Sequence, residues 1–186
     1  MSGRDFNPLR LDVEAFAEAG AELAGAWPLA ELPRLAATAS VDAPPRPDEH
    51  VEWSARGLCR RRAGVPPELR VELRARAVLR LECQRCLLPV ETPVELDRPP
   101  VRFVAGEAQA AELDAESDED VLALNRTFDL RELVEDELLL ALPLVPRHET
   151  CPVALPAAEP APADDEPEPP HPFAALAALK KPGPTH

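Results

Sequence analysis

The clearest pattern in the chain is an alternation of apolar and polar residues between positions 70 and 83. A period of two is typical of a β-strand with one face on a core and the other toward solvent. The apolar positions of this run are Val71, Leu73, Ala75, Ala77, Leu79, Leu81 and Cys83. Four of the seven even-numbered residues from 70 to 82 are arginines, so we expect a strand whose outward face is mostly arginine.

Shorter runs around this one predict further strands. Residues 51–58 have strand character, and the segment 61–67, which contains Gly64 and two prolines, is typical of a turn. The period of two resumes over 90–96, where Pro93 suits only an edge strand or a bulge. Residues 101–104 are a further candidate strand. Because parallel crossovers need a dozen or more connecting residues, these closely spaced runs favour an antiparallel sheet.

Two segments combine helical periodicity with a capping residue. Asp12 precedes apolar residues at a helical spacing over 13–27, which predicts a helix that Pro28 ends, followed by a short helical piece over 29–37. Asp129 with Glu132 forms a capping-box pattern ahead of a late helix that Pro143 ends. The apolar stripe of this late helix is Leu130, Leu133, Val134, Leu138 and Ala141. Residues 107–120 are acidic and lack periodic apolar positions, so we expect a loop there.

The last part of the chain differs in composition. Residues 154–171 are rich in proline, alanine and acidic residues, which predicts a disordered linker. Residues 172–181 begin with proline and end with lysines, as a short helix does. So short a helix should form only when docked, in a partner's groove or on this protein's own sheet. Its docking face would be Phe173, Leu176 and Leu179. Residues 1–153 are then an α+β core domain, an antiparallel sheet on which the N-terminal and late helices pack.

The charge of the chain restricts its partners. Its 186 residues carry a formal net charge of −14, which argues against indiscriminate nucleic-acid binding, because phosphate affinity depends on cations. Between residues 51 and 85, however, nine arginines stand against four glutamates. This segment is either an RNA contact, since guanidinium groups grip phosphate oxygens, or a solvated face balanced by nearby glutamates. The candidate RNA-binding residues are Arg60, Arg61, Arg62, Arg70, Arg74, Arg76, Arg80 and Arg85.

Several classes of function are disfavoured. No segment approaches the ~20 apolar residues of a membrane span, and the N-terminus lacks the apolar run of a signal peptide, so we expect a cytoplasmic protein with reduced cysteines. The glycines form neither a phosphate-binding loop nor a dinucleotide fingerprint. The adjacent acids Glu135 and Asp136 diverge on a helix. We expect no catalytic reaction and no small-molecule substrate.

The sharpest local motif is Cys83-Gln84-Arg85-Cys86. Two thiolates at this spacing can reach one Zn²⁺, and a second pair is needed to close a tetrahedral site. His148 and Cys151 offer comparable spacing later in the chain, so a Cys₃His zinc site is one interpretation. The other is that Cys83 faces the core and the remaining thiols are free. Cys59 has no partner spacing and is expected to be a strand residue.

Three segments resemble the YceD family of large ribosomal RNA subunit accumulation proteins. They are Leu81-Glu-Cys-Gln-Arg-Cys86, the late segment Asp129-Leu130 with Val134-Glu-Asp-Glu-Leu-Leu-Leu-Ala-Leu-Pro-Leu-Val-Pro-Arg-His148, and the closing Pro172-Phe-Ala-Ala-Leu-Ala-Ala-Leu-Lys180. The resemblance implies a non-enzymatic cytoplasmic role in large-subunit rRNA accumulation or processing. The implied partners are a large-subunit ribosomal protein, an assembly factor or precursor rRNA. Some relatives carry a richer cysteine cluster after the late helix, where this chain has His148 and Cys151.

Overall fold

A computed structural model describes residues 5–96 and 99–153 of the chain. In this part a six-stranded, mostly antiparallel sheet carries helices, so the expected α+β class is confirmed. The strands are β1 (Glu22–Pro28), β2 (His50–Arg62), β3 (Val65–Glu82), β4 (Pro89–Glu95), β5 (Val101–Val104) and β6 (Val121–Ala123). The helices are α1 (Val13–Ala19), α2 (Pro33–Ala36), α3 (Glu107–Glu116) and α4 (Leu130–Leu140), with a 3₁₀ turn at Leu29–Glu31.

The long strand β3 is the centre of the sheet. Arg76 lies opposite Glu52 of β2 and also opposite Glu95 of β4. Because one residue pairs with two strands, β2 and β4 flank β3 on opposite sides. β5 pairs antiparallel with an earlier part of β3 on the side away from β2. β6 is parallel to β5, the exception to the expected antiparallel pairing.

The alternation of apolar and polar residues along β3 places its apolar side chains in the core, as predicted. All seven apolar residues at odd positions from Val71 to Cys83 are buried. The hairpin before them is tighter than expected, because the β2–β3 ladder continues past a bulge to the pair Arg62 and Val65. The turn is therefore Ala63 and Gly64, whose φ of +78° suits glycine, and not the whole of 61–67.

The predicted helix over 13–27 is too long. α1 ends at Ala19, and Gly20 caps it in the left-handed conformation, donating its backbone N–H to the carbonyls of Ala17 and Phe16. The residues that continued the helical spacing belong to β1, which pairs antiparallel with β2 over seven positions. Trp27 stacks on Trp53 of β2 with ring centroids 4.3 Å apart. Strand pairing thus overrides a helical spacing that Gly20 had already interrupted. The short helical piece over 29–37 is confirmed.

The prediction of a loop over 107–120 is also wrong, because α3 occupies most of this segment. This helix has one buried residue, Ala110, and its lack of an apolar stripe is the reason that periodicity did not indicate it. α3 forms the crossover between the parallel strands β5 and β6. The carboxylate of Asp114 accepts the backbone N–H of Val121 at 3.0 Å and so fixes the start of β6.

The two helices that pack on the sheet begin side by side. Leu11 and Phe128 exchange both backbone hydrogen bonds, at 2.7 and 3.0 Å, directly before the N-caps Asp12 and Asp129. Asp129 accepts the N–H groups of Arg131 and Glu132, as the capping pattern predicts. The buried apolar residues of α1 and α4 belong to the same core cluster as the odd positions of β3. The fully buried members from the two helices are Val13, Phe16, Ala17, Leu130, Val134 and Leu138.

Gly57 is where α1 lies closest to the sheet. A Cβ at this position would stand 2.4 Å from the carbonyl oxygen of Phe16 and 2.8 Å from Cα of Ala17, both backbone atoms. We expect Gly57→Ala to lower the free energy of unfolding by about 2–3 kcal/mol, because α1 must move away from β2. Urea denaturation measures it. Gly20→Ala is the control: no atom lies within 4 Å of its Cβ, so it should cost only the left-handed backbone penalty of about 1 kcal/mol. Equal effects would contradict the close approach.

The described helices include none that is both long and apolar enough to cross a membrane. The predicted linker 154–171 and the predicted docking face Phe173, Leu176 and Leu179 lie outside the described residues.

Candidate metal centre

The candidate metal centre begins where β3 ends. Cys83 continues the inward-facing positions of the strand and is fully buried. The chain then turns tightly. The N–H of Leu87 donates to the carbonyl of Cys83 at 2.8 Å, and the N–H of Cys83 donates to the carbonyl of Leu88 at 3.0 Å. Leu87 has a φ of +60°, which a leucine rarely adopts. This strained turn presents the thiols of Cys83 and Cys86 to a common point.

The other two ligands come from the segment after α4. The backbone N–H of Gln84, inside the turn, donates to the carbonyl of Pro146 at 2.9 Å. The backbone N–H of His148 points at Sγ of Cys83 at 3.5 Å. These two contacts hold the segment against the end of β3, so His148 and Cys151 reach the same point as the first pair.

His148 is oriented as a metal-ligating histidine should be. Its Nε2 lies 3.1 Å from the carbonyl oxygen of Pro89, which has no proton to give, so Nε2 carries the proton and donates. Its Nδ1 then has a free lone pair and faces Sγ of Cys86 at 3.4 Å. A backbone acceptor on the far nitrogen is the usual device that fixes the tautomer of a ligating imidazole.

The four ligand atoms, from Cys83, Cys86, His148 and Cys151, all lie within 4.8 Å of one another. Burial raises the pKa of Cys83, but hydrogen bonds from the backbone N–H groups of His148, Cys86 and Arg85 outweigh this effect and lower that pKa to about 5. Burial, followed by hydrogen bonds with Cys86 and Cys83 and by the charges of those sulfurs, raises the pKa of Cys151. Three sulfurs this close resist becoming thiolates together unless a cation lies between them.

These observations fit a bound metal ion. The donor set is three sulfurs and one imidazole, all converging, with backbone N–H bonds on one thiolate and a fixed tautomer on the histidine. Four protein ligands would fill a tetrahedral shell and would leave no position for a reacting water, as in structural sites. The sequence spacing thus predicted the four residues that the structure brings together.

Sequence reasoning missed an apolar rim beside the centre. Leu87 on the turn and Leu144 and Val145 before Pro146 are 61%, 100% and 53% exposed. For Leu144 and Val145 the sequence signal was an apolar pair between two prolines, 143–146, that follows the end of a helix. Large apolar side chains this exposed, on the two segments that form the centre, are typical of an interaction surface.

The arginines on the outward face of β3 are mostly engaged within the chain. Arg70, Arg74, Arg76 and Arg80 each form an ion pair with a glutamate, at N–O distances between 2.6 and 2.9 Å. Arg61 is paired with Glu18. Arg60, Arg62 and Arg85 have no ion pair among the described residues. Balanced pairs match the solvated-face interpretation, while the three unpaired residues stay candidates for an RNA contact.

Comparison with known proteins identifies a family. A family model described as "Large ribosomal RNA subunit accumulation protein YceD" matches residues 71–180, which is more than half of the chain and includes all four residues of the candidate centre. A search of curated proteins and a search of solved structures returned no match. The family's name implies a role in accumulation of large-subunit rRNA. The chain therefore belongs to the YceD family.

Proposed function

We propose that this chain is a non-enzymatic cytoplasmic factor that supports the synthesis, processing or accumulation of large-subunit rRNA. It acts by binding a large-subunit ribosomal protein, an assembly factor or precursor rRNA, and it has no small-molecule substrate. The match to the YceD family over residues 71–180 carries this proposal. A structural zinc ion held by Cys83, Cys86, His148 and Cys151 would supply the rigidity that the binding surface needs.

The geometry of the metal centre supports a binding role. Zinc coordination would fasten the segment after α4 to the end of β3. Without zinc, these two parts of the chain meet through the backbone contacts of Gln84 and His148 and the hydrogen bond of the His148 side chain to Pro89. The apolar side chains of Leu144 and Val145 lie on this fastened segment. A rigid apolar surface binds with less loss of conformational entropy than a free loop does. The acidic character of the whole chain, with a net charge of −14, suits a basic partner such as a ribosomal protein.

A complementation experiment tests the proposal. Cells lacking the gene should contain less large-subunit rRNA relative to small-subunit rRNA, and the wild-type chain should restore the ratio. Cys83→Ser/Cys86→Ser should fail to restore it, whereas Cys59→Ser, a strand cysteine outside the cluster, should succeed. Affinity capture with and without ribonuclease then separates protein partners from RNA. An unchanged rRNA ratio in cells without the gene would refute the proposed function.

A cationic cavity favours direct RNA binding as a second candidate function. A cavity of about 740 Å³ lies beside the turn between β2 and β3. Its charged lining comprises Arg60, Arg62, Arg70, Arg102, Glu14 and Glu68. The two arginines without ion pairs, Arg60 and Arg62, therefore lie where cations outnumber carboxylates, which is where a phosphate group would be attracted.

The cavity makes a specific prediction about salt dependence. Arg60→Glu/Arg62→Glu should weaken binding of single-stranded RNA and reduce the slope of log K against log salt by about 1.4, since each lost phosphate contact accounts for ~0.7. Filter binding over a salt series measures both quantities. Arg74→Glu is the control, because Arg74 is 75% exposed and already paired with Glu72. Equal losses in the two variants, or a nucleic-acid-free wild type without RNA affinity at low salt, would rule this candidate out.

A further inference from the structure

The outer edge of β1 is an unpaired strand edge. β1 pairs with β2 along one side, and the described residues contain no strand along its other side. Ala24, Gly25 and Ala26, at its centre, are exposed. Proteins usually protect such an edge with lysines, prolines, bulges or a covering loop. In β1, however, the only charged residue is Glu22 at its first position and the only proline is Pro28 at its last, so the five residues between them carry neither device.

The hydrogen-bond register shows which groups of this edge are available. The N–H of Gly57 donates to Ala21, and the N–H of Leu29 donates to Glu49, at 2.9 and 2.8 Å. Both bonds continue the β1–β2 ladder at odd-numbered residues, Ala21 and Leu29, that directly flank β1. In an antiparallel pair the residues alternate between the two edges. The even-numbered residues Ala24 and Ala26 therefore direct their N–H and C=O groups outward.

A second copy of the same strand is self-complementary to this edge. An antiparallel register centred on Gly25 pairs all seven residues of β1 with the seven of the second copy. Ala24 then lies opposite Ala26 of the second copy, so the outward N–H and C=O groups of the two alanines meet their counterparts. Glu22 lies opposite a proline that keeps its carbonyl as an acceptor, and no like charges are opposed.

The side chains fit the same register. Leu23 would lie opposite Trp27 of the second copy, and both residues are only partly buried within one chain. They project from the face of the sheet that carries the core, so their pairing would extend the stacked indoles of Trp27 and Trp53. Gly25 would lie opposite its own copy at the position of closest backbone approach. A glycine inside a strand often marks such an approach, and here it also leaves room for Trp53, whose Cζ2 would be 3.1 Å from an added Cβ.

From these observations we propose that the chain forms a symmetric dimer through antiparallel pairing of β1 with β1 of a second copy, centred on Gly25. The charge pattern supports a second copy over a basic peptide as the occupant, because the exposed centre of the edge is neutral and carries no carboxylate to attract cations. The two sheets would become one continuous sheet across the dimer axis. This assembly is independent of the metal centre and of the proposed role in rRNA accumulation.

Charge pairs across the axis test both the dimer and its register. In sedimentation velocity from about 1 to 100 µM at physiological salt, the full wild-type chain should approach twice the monomer mass. Ala24→Lys/Ala26→Lys and Ala24→Glu/Ala26→Glu each place like charges opposite each other twice and should raise the dissociation constant roughly tenfold or more. A mixture of the two variants should form a one-to-one heterodimer, since every opposed pair is then of opposite charge.

The controls separate this interface from others. Ala24 and Ala26 are exposed, so both double variants should keep the circular dichroism spectrum of the monomer fold. Ala26 lies opposite Glu52 of β2, so the glutamate variant should melt at a slightly lower temperature than the lysine variant. Val41→Lys/Val65→Lys adds the same charge at side chains 91% and 60% exposed elsewhere and should leave dimerisation unchanged. A monomeric wild type over the whole concentration range overturns the proposal. So does a like-charged variant that stays dimeric, or a mixture that gives no heterodimer.

Discussion

Cys86→Ser/Cys151→Ser should abolish zinc binding and lower the melting temperature by roughly 8–16 °C. The purified wild-type chain is expected to contain one zinc per molecule, held by four ligand atoms that lie within 4.8 Å of one another. A metal ion that binds only the folded chain, at a free concentration a thousand times its dissociation constant, stabilises the fold by about 4 kcal/mol. For a domain of this size each kcal/mol corresponds to ~2–4 °C. Metal analysis and thermal denaturation measure the two effects.

Loss of the metal should first loosen the structure around the metal centre and leave the rest of the domain folded. The backbone N–H of Gln84, which donates to Pro146, should exchange with deuterium much faster in the double variant. Amides at the centre of β3 should keep their protection, because the buried odd-numbered side chains of that strand do not depend on the metal. Cys59→Ser is the matched control, being a cysteine of β2 outside the cluster. A wild type purified without zinc, or a double variant with unchanged metal content, would contradict the prediction.

The four candidate ligands could be identified in the sequence because metal-binding chemistry constrains their spacing. Two cysteines separated by two residues at a strand end, and a histidine and cysteine with similar spacing, are short-range patterns that need no knowledge of the fold. The meeting of the two pairs could not be derived from the residues alone. It depends on the register of β3, which points Cys83 inward, and on the contact between Gln84 and Pro146.

β1 and α3 show where the spacing of apolar residues fails to predict secondary structure. Residues 22–28 have the spacing of a helix, and their glycine and alanines are disfavoured in strands, so only the long-range ladder with β2 makes this segment a strand. α3 is almost entirely exposed, so no apolar stripe marks it. A face balanced by nearby glutamates was one of the two interpretations of the β3 arginines, but the sequence did not identify every partner. Arg76, for example, pairs with Glu52 of a neighbouring strand, so its partner follows from register and not from proximity in the chain.

A buried carboxylate joins two distant parts of the fold. Oε1 of Glu135 on α4 accepts the backbone N–H groups of Arg34 and Leu35 at 2.7 and 3.0 Å, and Oε2 accepts the Arg34 side-chain Nε at 3.1 Å. The residue is 5% exposed. The adjacent Asp136 binds the same guanidinium group from the surface. The acidic pair that seemed to diverge on a helix therefore converges on one arginine, and Glu135 caps the start of α2.

Glu135→Ala should lower the free energy of unfolding by about 3 kcal/mol. The substitution leaves the N–H groups of Arg34 and Leu35 without an acceptor in a buried place, which costs more than the loss of an exposed pair. Denaturant unfolding measures the change, and hydrogen exchange at Leu35 should report the release of α2. Asp136→Ala is the neighbouring control: its side chain is 47% exposed, so it should cost less than 1 kcal/mol. Glu135→Gln keeps an acceptor oxygen and should fall between the two. If both alanine variants cost the same, the carboxylate acts only through the surface charge of Arg34, and the capping of α2 by Glu135 is wrong.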